Sequence, residues 1–216
     1  MKNSITFFGH ASFLILINNK AVYIDPYILP KNPMKADLIL VTHEHYDHCA
    51  TENINKIKKI DTTIIAPQVC KGKLPNAKII NINESIDISG IKIKAVHAYN
   101  LNKSFHPKNR GVGYIIIFDN KKIYHAGDTD FIPEMKKLES EQITYALLPI
   151  GGTYTMDLDE AVEAAISIRP SYVIPMHYNS LPELKTNPSE FKEKIEYRNR
   201  EIKVLILGEN ESINID

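Results

Sequence analysis

The chain has no tryptophan and only two cysteines in 216 residues, Cys49 and Cys70. Two thiols that distant in sequence supply neither a disulfide framework nor a cysteine-based zinc site, and each reads as a small buried residue. Arginine is also scarce, standing only at positions 110, 169, 198 and 200, so planar forks for bidentate phosphate recognition are few. Lysine plus arginine equals aspartate plus glutamate at 26 each, so nothing demands the basic face that nucleic-acid binding uses. No apolar run approaches the ~20 residues that cross a bilayer. The start, Met1-Lys2-Asn3-Ser4, has no apolar stretch ending in a small-residue cleavage site, and the expected location is the cytoplasm. The length suits one sizeable core, in one large domain or two fused halves.

What the chain does have is histidine, concentrated in one place. Three of its eight histidines fall within six residues, His43-Glu44-His45-Tyr46-Asp47-His48, with an aspartate among them. The cluster follows Asp37-Leu38-Ile39-Leu40-Val41, which reads as a buried strand, so it lies on a loop at a strand end, where scaffolds present chemistry. Neutral imidazole and carboxylate are ligands for divalent ions such as zinc, and imidazole accepts iron and manganese less selectively. In an extended segment residues two apart point the same way, so His43, His45 and Asp47 project to one side and His48 to the other. Such a loop can feed two neighbouring ions, His43 and His45 serving one, Asp47 and His48 the other.

Around this loop the pattern alternates strands and helices. Strands are expected at residues 5–8, 13–17 and 21–24, the last two as a hairpin, then at 37–41, a helix from Thr51 to Ile60, and a strand at 62–66. Alternation returns at 87–96, followed by a long loop from Asn100 to Gly113 that is expected to border a site. Residues 13–23 align without a gap on residues 114–124, an offset of 101, and Thr63-Ile64-Ile65-Ala66-Pro67 is echoed by Tyr172-Val173-Ile174-Pro175, so the chain reads as internally duplicated. The expected organisation is one domain, 1–216, of two similar halves, about 1–100 and 101–216. The second half continues with a short amphipathic piece at 132–138 and a strand at 145–150. A helix capped by Asp157 with Glu160 runs to Ile168, followed by a strand at 172–175, a helix from Asn187-Pro188 to Arg198 and a strand at 202–207.

The H-x-H-x-D-H loop is accompanied by Gly9-His10-Ala11-Ser12-Phe13, Ile24-Asp25-Pro26, His125-Ala126-Gly127-Asp128-Thr129-Asp130 and Pro175-Met176-His177-Tyr178. In that order, over nearly the whole chain, these resemble the metallo-β-lactamase-fold hydrolase superfamily. Within it they are similar to metal-dependent hydrolases related to ascorbate-6-phosphate lactonase and N-acylphosphatidylethanolamine phospholipase D. The resemblance implies an α/β fold, a four-layer αββα sandwich, with two divalent metal ions, zinc first and manganese or iron as alternatives. It implies Asp128 as the carboxylate shared by both ions and His177 as the last ligand of the second. Relatives place a histidine where this chain has Asn100. The third ligand of the first ion is then His106 in Phe105-His106-Pro107, the favoured candidate, or His97, or else Asn100 or water. Asp25 is the candidate orienter of a ligating histidine. His10 is either a neighbour of the site or a turn residue, and His125 faces either substrate or core.

The expected chemistry is a hydroxide shared by the ions attacking a carbonyl carbon or a phosphorus. Asp47 and Asp128 are the catalytic carboxylates, Asp47 holding or relaying the proton, with Tyr154 or Thr155 touching the substrate. The leading expectation is hydrolysis of a small ester, lactone or phosphodiester, with no nucleic-acid partner and no membrane span. A nuclease of the same fold, a di-iron oxygen or nitric oxide reductase and a non-catalytic metal-binding protein are the alternatives.

Overall fold

The computed structural model describes residues 2–215. The chain divides into two compact units, one holding everything up to Asn81 and again from Leu207, the other Ile82–Ile206. Each is built on one seven-stranded mixed sheet.

In the first unit the strands are β1 (Ser4–Gly9), β2 (Ser12–Ile17), β3 (Lys20–Ile24), β4 (Leu38–Leu40), β5 (Thr63–Ala66) and β6 (Lys78–Ile79). The sheet runs in that order, with β1, β2 and β3 antiparallel and β3 to β6 parallel. Val22, Tyr23, Ile24, Ile39 and Leu40 are all fully buried, as expected of near-continuous apolar strands covered on both faces. Helix α1 (Thr51–Ile57) buries Ile54 and Ile57 in a cluster with Tyr23, Ile39, Val41, Cys49 and Cys70. The two cysteines are unlinked, yet the Cys49 thiol is hydrogen-bonded to Cys70, so residues distant in sequence share one apolar pocket.

The second unit holds β7 (Ser85–Ile88), β8 (Ile91–Ala98), β9 (Gly111–Phe118), β10 (Lys121–His125), β11 (Tyr145–Pro149), β12 (Tyr172–Met176) and β13 (Lys203–Val204). Here β8, β9 and β10 are antiparallel and β10 to β13 parallel, the same path as in the first sheet. The hairpins agree to the residue: Phe13 faces Ile24 and Ile17 faces Lys20, while Tyr114 faces His125 and Phe118 faces Lys121, each shifted by the 101 residues read from the sequence. Helix α2 (Leu158–Ile168) opens with the expected capping box, Glu160 N–H donating to Asp157 and Asp157 N–H to Glu160. Helix α3 (Pro188–Arg198) is capped by Asn187.

The boundary between halves differs from the expected one near residue 100. Strands β7 and β8 pair with each other and β8 with β9, so the chain from Ile82 already belongs to the second sheet. Alternation announces a strand but not which sheet it joins. The expected closing strand at 202–207 shrinks to β13. The chain then forms β14 (Glu211–Asn214), which returns to pair antiparallel with β1. No helix among the described residues is long and apolar enough to cross a membrane.

A 3₁₀ segment, Pro133–Glu141, is tied to the second sheet by Glu141, whose two oxygens take Lys94 (2.6 Å) and Lys122 (2.9 Å). Those two lysines hold the Glu141 carboxyl below the usual carboxylate range. A depressed carboxyl stabilises the fold above its unfolded-state pKa, and the gain is lost as pH falls through the folded-state value. Glu141→Gln is therefore expected to cost about 1 kcal/mol in denaturant unfolding at pH 7. The gap to the parent should close as the pH drops below the carboxylate range.

Candidate metal centre

In the first unit the candidate ligands hang on Asp25. It follows β3 at a positive φ of 44° and is completely buried. A buried carboxylate must be met by donors, and three converge on it: Thr42 N–H (2.8 Å), Thr42 Oγ1 (2.6 Å) and His48 Nδ1 (2.7 Å). The loop after β4 is thereby fixed at both ends of its histidine run. The single hydroxyl proton of Thr42 goes to Asp25, so toward His43 Nδ1, 3.0 Å away, Thr42 Oγ1 can only accept. The hydrogen-bond network thus assigns the ring proton of both His43 and His48 to Nδ1 and leaves Nε2 of each as a lone-pair donor.

His43 Nε2 lies 3.0 Å from His45 Nδ1, within hydrogen-bond distance. One ligand atom each of His10, Asp47 and His48 lie within 4.8 Å of one another. His10 Nε2 is 3.2 Å from Asp47 Oδ2, so the turn histidine of the Gly9-His10 corner touches a candidate catalytic carboxylate. His43 lies against both His45 and His48, ring centroids 4.6 and 4.1 Å apart, and His48 Nε2 is 4.0 Å from Asp47 Oδ2, so the loop gathers its histidines into one cluster.

In the second unit, Gly127 turns the chain at φ 64° after β10 and delivers Asp128. Asp128 Oδ2 is 3.2 Å from His106 Nε2 and 3.2 Å from His177 Nε2. His177 leaves β12 at φ 56°, with Gly151 so close to its carbonyl that no side chain fits there. Burial pushes the phenol of neighbouring Tyr178 above its ordinary value, so it stays a neutral hydroxyl.

Asn100, at the position where relatives place a histidine, is fully engaged in hydrogen bonds. Its amide NH₂ donates to Asp130 (2.9 Å) and to the Tyr154 carbonyl (3.0 Å), which leaves Oδ1 as acceptor for His106 N–H (2.9 Å) and His106 Nδ1 (3.0 Å). Asn100 thus holds His106 as Asp25 holds His48, and aims Nε2 at Asp128. His97 sits on β8 beside Tyr99, in no candidate ligand group found among the described residues. With its proton on Nδ1, His106 presents a lone pair to a carboxylate oxygen at 3.2 Å. Around Asp128 two histidine nitrogens meet the same carboxylate oxygen, an arrangement that suits a bound cation. In each unit the donors are buried imidazole and carboxylate groups, His43 and His48 in the first and His106, Asp128 and His177 in the second, a chemistry that fits a divalent metal.

Two residues left with alternatives by the sequence have defined surroundings. His125 is fully buried, and its Nδ1 accepts from Gly127 N–H (3.1 Å), so it shapes the Asp128 turn rather than facing substrate. Thr155 is fully buried while its carbonyl binds Lys103, which leaves Tyr154 as the accessible member of that pair. Asp130, which sequence reading passed over, anchors the 100–113 loop through Asn100, Leu101 N–H and Lys103; its place in the Asp128-Thr129-Asp130 motif was the available signal.

The chain matches a family model described as a Beta-lactamase superfamily domain over residues 4–177. A metal-dependent hydrolase of Nanoarchaeum equitans is 38% identical over 221 residues, covering 98% of this chain and 99% of that protein. One from Thermoplasma acidophilum is 39% identical over 204 residues, 87% and 88% of the two chains. Among solved structures, a metallo hydrolase from the hyperthermophilic archaeon Ignicoccus hospitalis aligns with a TM-score of 0.86 at 30% identity, covering 100% of this chain and 99% of that one.

Asn100→Ala removes the acceptor that orients His106 without touching a candidate ligand. It is expected to weaken zinc binding roughly tenfold to a hundredfold in competition with a chromophoric chelator. His97→Ala should leave the affinity unchanged.

Proposed function

Because this chain belongs to the β-lactamase superfamily and is a metal-dependent hydrolase of the metallo-β-lactamase fold, we propose that it cleaves a small ester, lactone or phosphodiester with two divalent metal ions, zinc before manganese or iron. The observation that carries this reading is Asp128, one of whose oxygens faces two histidine nitrogens at 3.2 Å. A carboxylate so surrounded is suited to serving two ions at once.

On this reading, and as the family resemblance implies, His43, His45 and His106 would hold one ion and Asp47, His48 and His177 the other, with Asp128 the carboxylate that would serve both. When bound, such a pair supplies Lewis acidity and lowers the pKa of water from 15.7 towards ~7, giving a nucleophile at neutral pH. The chain's own groups do the rest. Thr42, Asp25 and Asn100 fix the tautomers of His43, His48 and His106 before any ion arrives, so little reorganisation is needed on binding. Asp47 Oδ2, beside His10 Nε2, is where the proton leaving the nucleophile would be held. Tyr154, whose hydroxyl donates to Glu183 (2.9 Å), is the residue of the 151–157 turn that would touch the substrate.

The test is turnover of chromogenic esters, lactones and phosphodiesters by protein reconstituted with zinc or manganese, set against chelated protein and His45→Ala. Cleavage of one class, lost by at least a hundredfold in both controls, is the expected result. Equal rates in the parent and in His45→Ala would count against the proposal.

A further inference from the structure

Large apolar side chains more than a third exposed are few among the described residues: Met34, Tyr46, Ile60, Leu101, Phe105 and Tyr197. A single exposed apolar residue needs no explanation, but three of these six stand on the candidate ligand segments. Tyr46 lies between His45 and Asp47, Leu101 follows Asn100, and Phe105 precedes His106.

In the second unit, the Phe105 ring packs edge-on against Tyr154, centroids 4.8 Å apart at 88°. The pair is not loosely placed. Asn100 grips the Tyr154 carbonyl with its NH₂ and His106 with its Oδ1, so one side chain fixes both the aromatic corner and the candidate ligand next to it. Leu101 is pinned in turn by its N–H on Asp130 (2.8 Å). The first unit carries a similar arrangement. Tyr46 packs edge-on against Tyr27 (5.9 Å, 85°), and Tyr27 against His10 (5.6 Å), the residue in contact with Asp47.

Charge near these rings is already spent. Lys103 is bound to Asp130 and to the Thr155 carbonyl, and Lys108 to Glu134 and the Tyr99 hydroxyl. Lys73 caps the Glu44 carbonyl, and the Tyr154 hydroxyl is held by the carboxylate of Glu183. A second anionic group on a substrate would meet acidic neighbours and lysines committed elsewhere. An apolar or aromatic group would meet ring faces and edges that water solvates poorly.

We infer that Phe105, with Tyr154 and Leu101, is a specificity surface for a neutral apolar or aromatic group next to the scissile bond, which selects aryl or arylalkyl esters and lactones over phosphodiesters. The inference narrows the substrate class of the hydrolase proposed above and rests on that reading. It is tested by binding, without turnover. Calorimetric or ligand-observed NMR titration of the metal-loaded protein would use phenylacetamide, acetamide and dimethyl phosphate as non-hydrolysed probes.

The expected result is phenylacetamide bound about tenfold more tightly than either other probe, with the preference abolished in Phe105→Ala. It should be retained in Tyr197→Ala, a still more solvent-facing aromatic on α3. Unchanged phenylacetamide binding in Phe105→Ala, no phenylacetamide binding by the parent, or tighter binding of dimethyl phosphate would each overturn the inference. A preference that persists in a protein with no turnover of any ester or lactone would count against the hydrolytic reading alone.

Discussion

The structure depends on a buried carboxylate being fully met. Asp25 has no solvent exposure, and its oxygens are held by Thr42 and His48 while its own N–H donates to the Leu40 carbonyl. Those four bonds link the end of β3 to β4 and to both ends of the histidine run. Removing the carboxylate would leave His48 without its orienting acceptor and Thr42 free to turn, so fold and site share one anchor. Asn100 does the same work in the second unit with a neutral amide, which suits a place where Asp130 already supplies the negative charge.

The duplication explains why the ligands arise where they do. In both sheets the chain goes from an antiparallel hairpin into parallel strands, and the carboxyl ends of those strands carry the chemistry. β4 leads to His43, β10 to Asp128 and β12 to His177. Asp25 follows β3 as Asp128 closely follows β10, but the two carboxylates have separate tasks: one is saturated by donors and holds a loop, the other faces histidine nitrogens. Family membership fixes the fold and the coarse chemistry. The selectivity proposed for Phe105 rests on a loop residue, which the fold does not specify.

Much of this was legible in the residues, for reasons that can be named. The histidine loop declared itself because no packing pattern calls for alternating His, and the hairpin repeat was readable because strand register is written in consecutive residues. The Asp157-Glu160 capping box is likewise local, and it formed as read. What could not be read was long-range. The sequence shows Asn100 as a missing ligand, and only its contacts with Asp130, Tyr154 and His106 show it as an orienting residue. The 81/82 boundary depends on which edge β7 and β8 join, β14 is too short and polar to announce itself, and the contact between Cys49 and Cys70 follows from tertiary packing.

The central claim is that histidines with tautomers fixed in advance, together with Asp47 and Asp128, bind divalent metal through nitrogen and oxygen alone. Zinc K-edge absorption on the fully reconstituted protein, with zinc per chain counted on the same sample, tests it most directly. The account predicts two zinc ions per chain with imidazole and carboxylate ligands at about 2.0–2.2 Å and no sulfur. One zinc per chain, or a sulfur shell at about 2.3 Å drawn from Cys49 or Cys70, would contradict it.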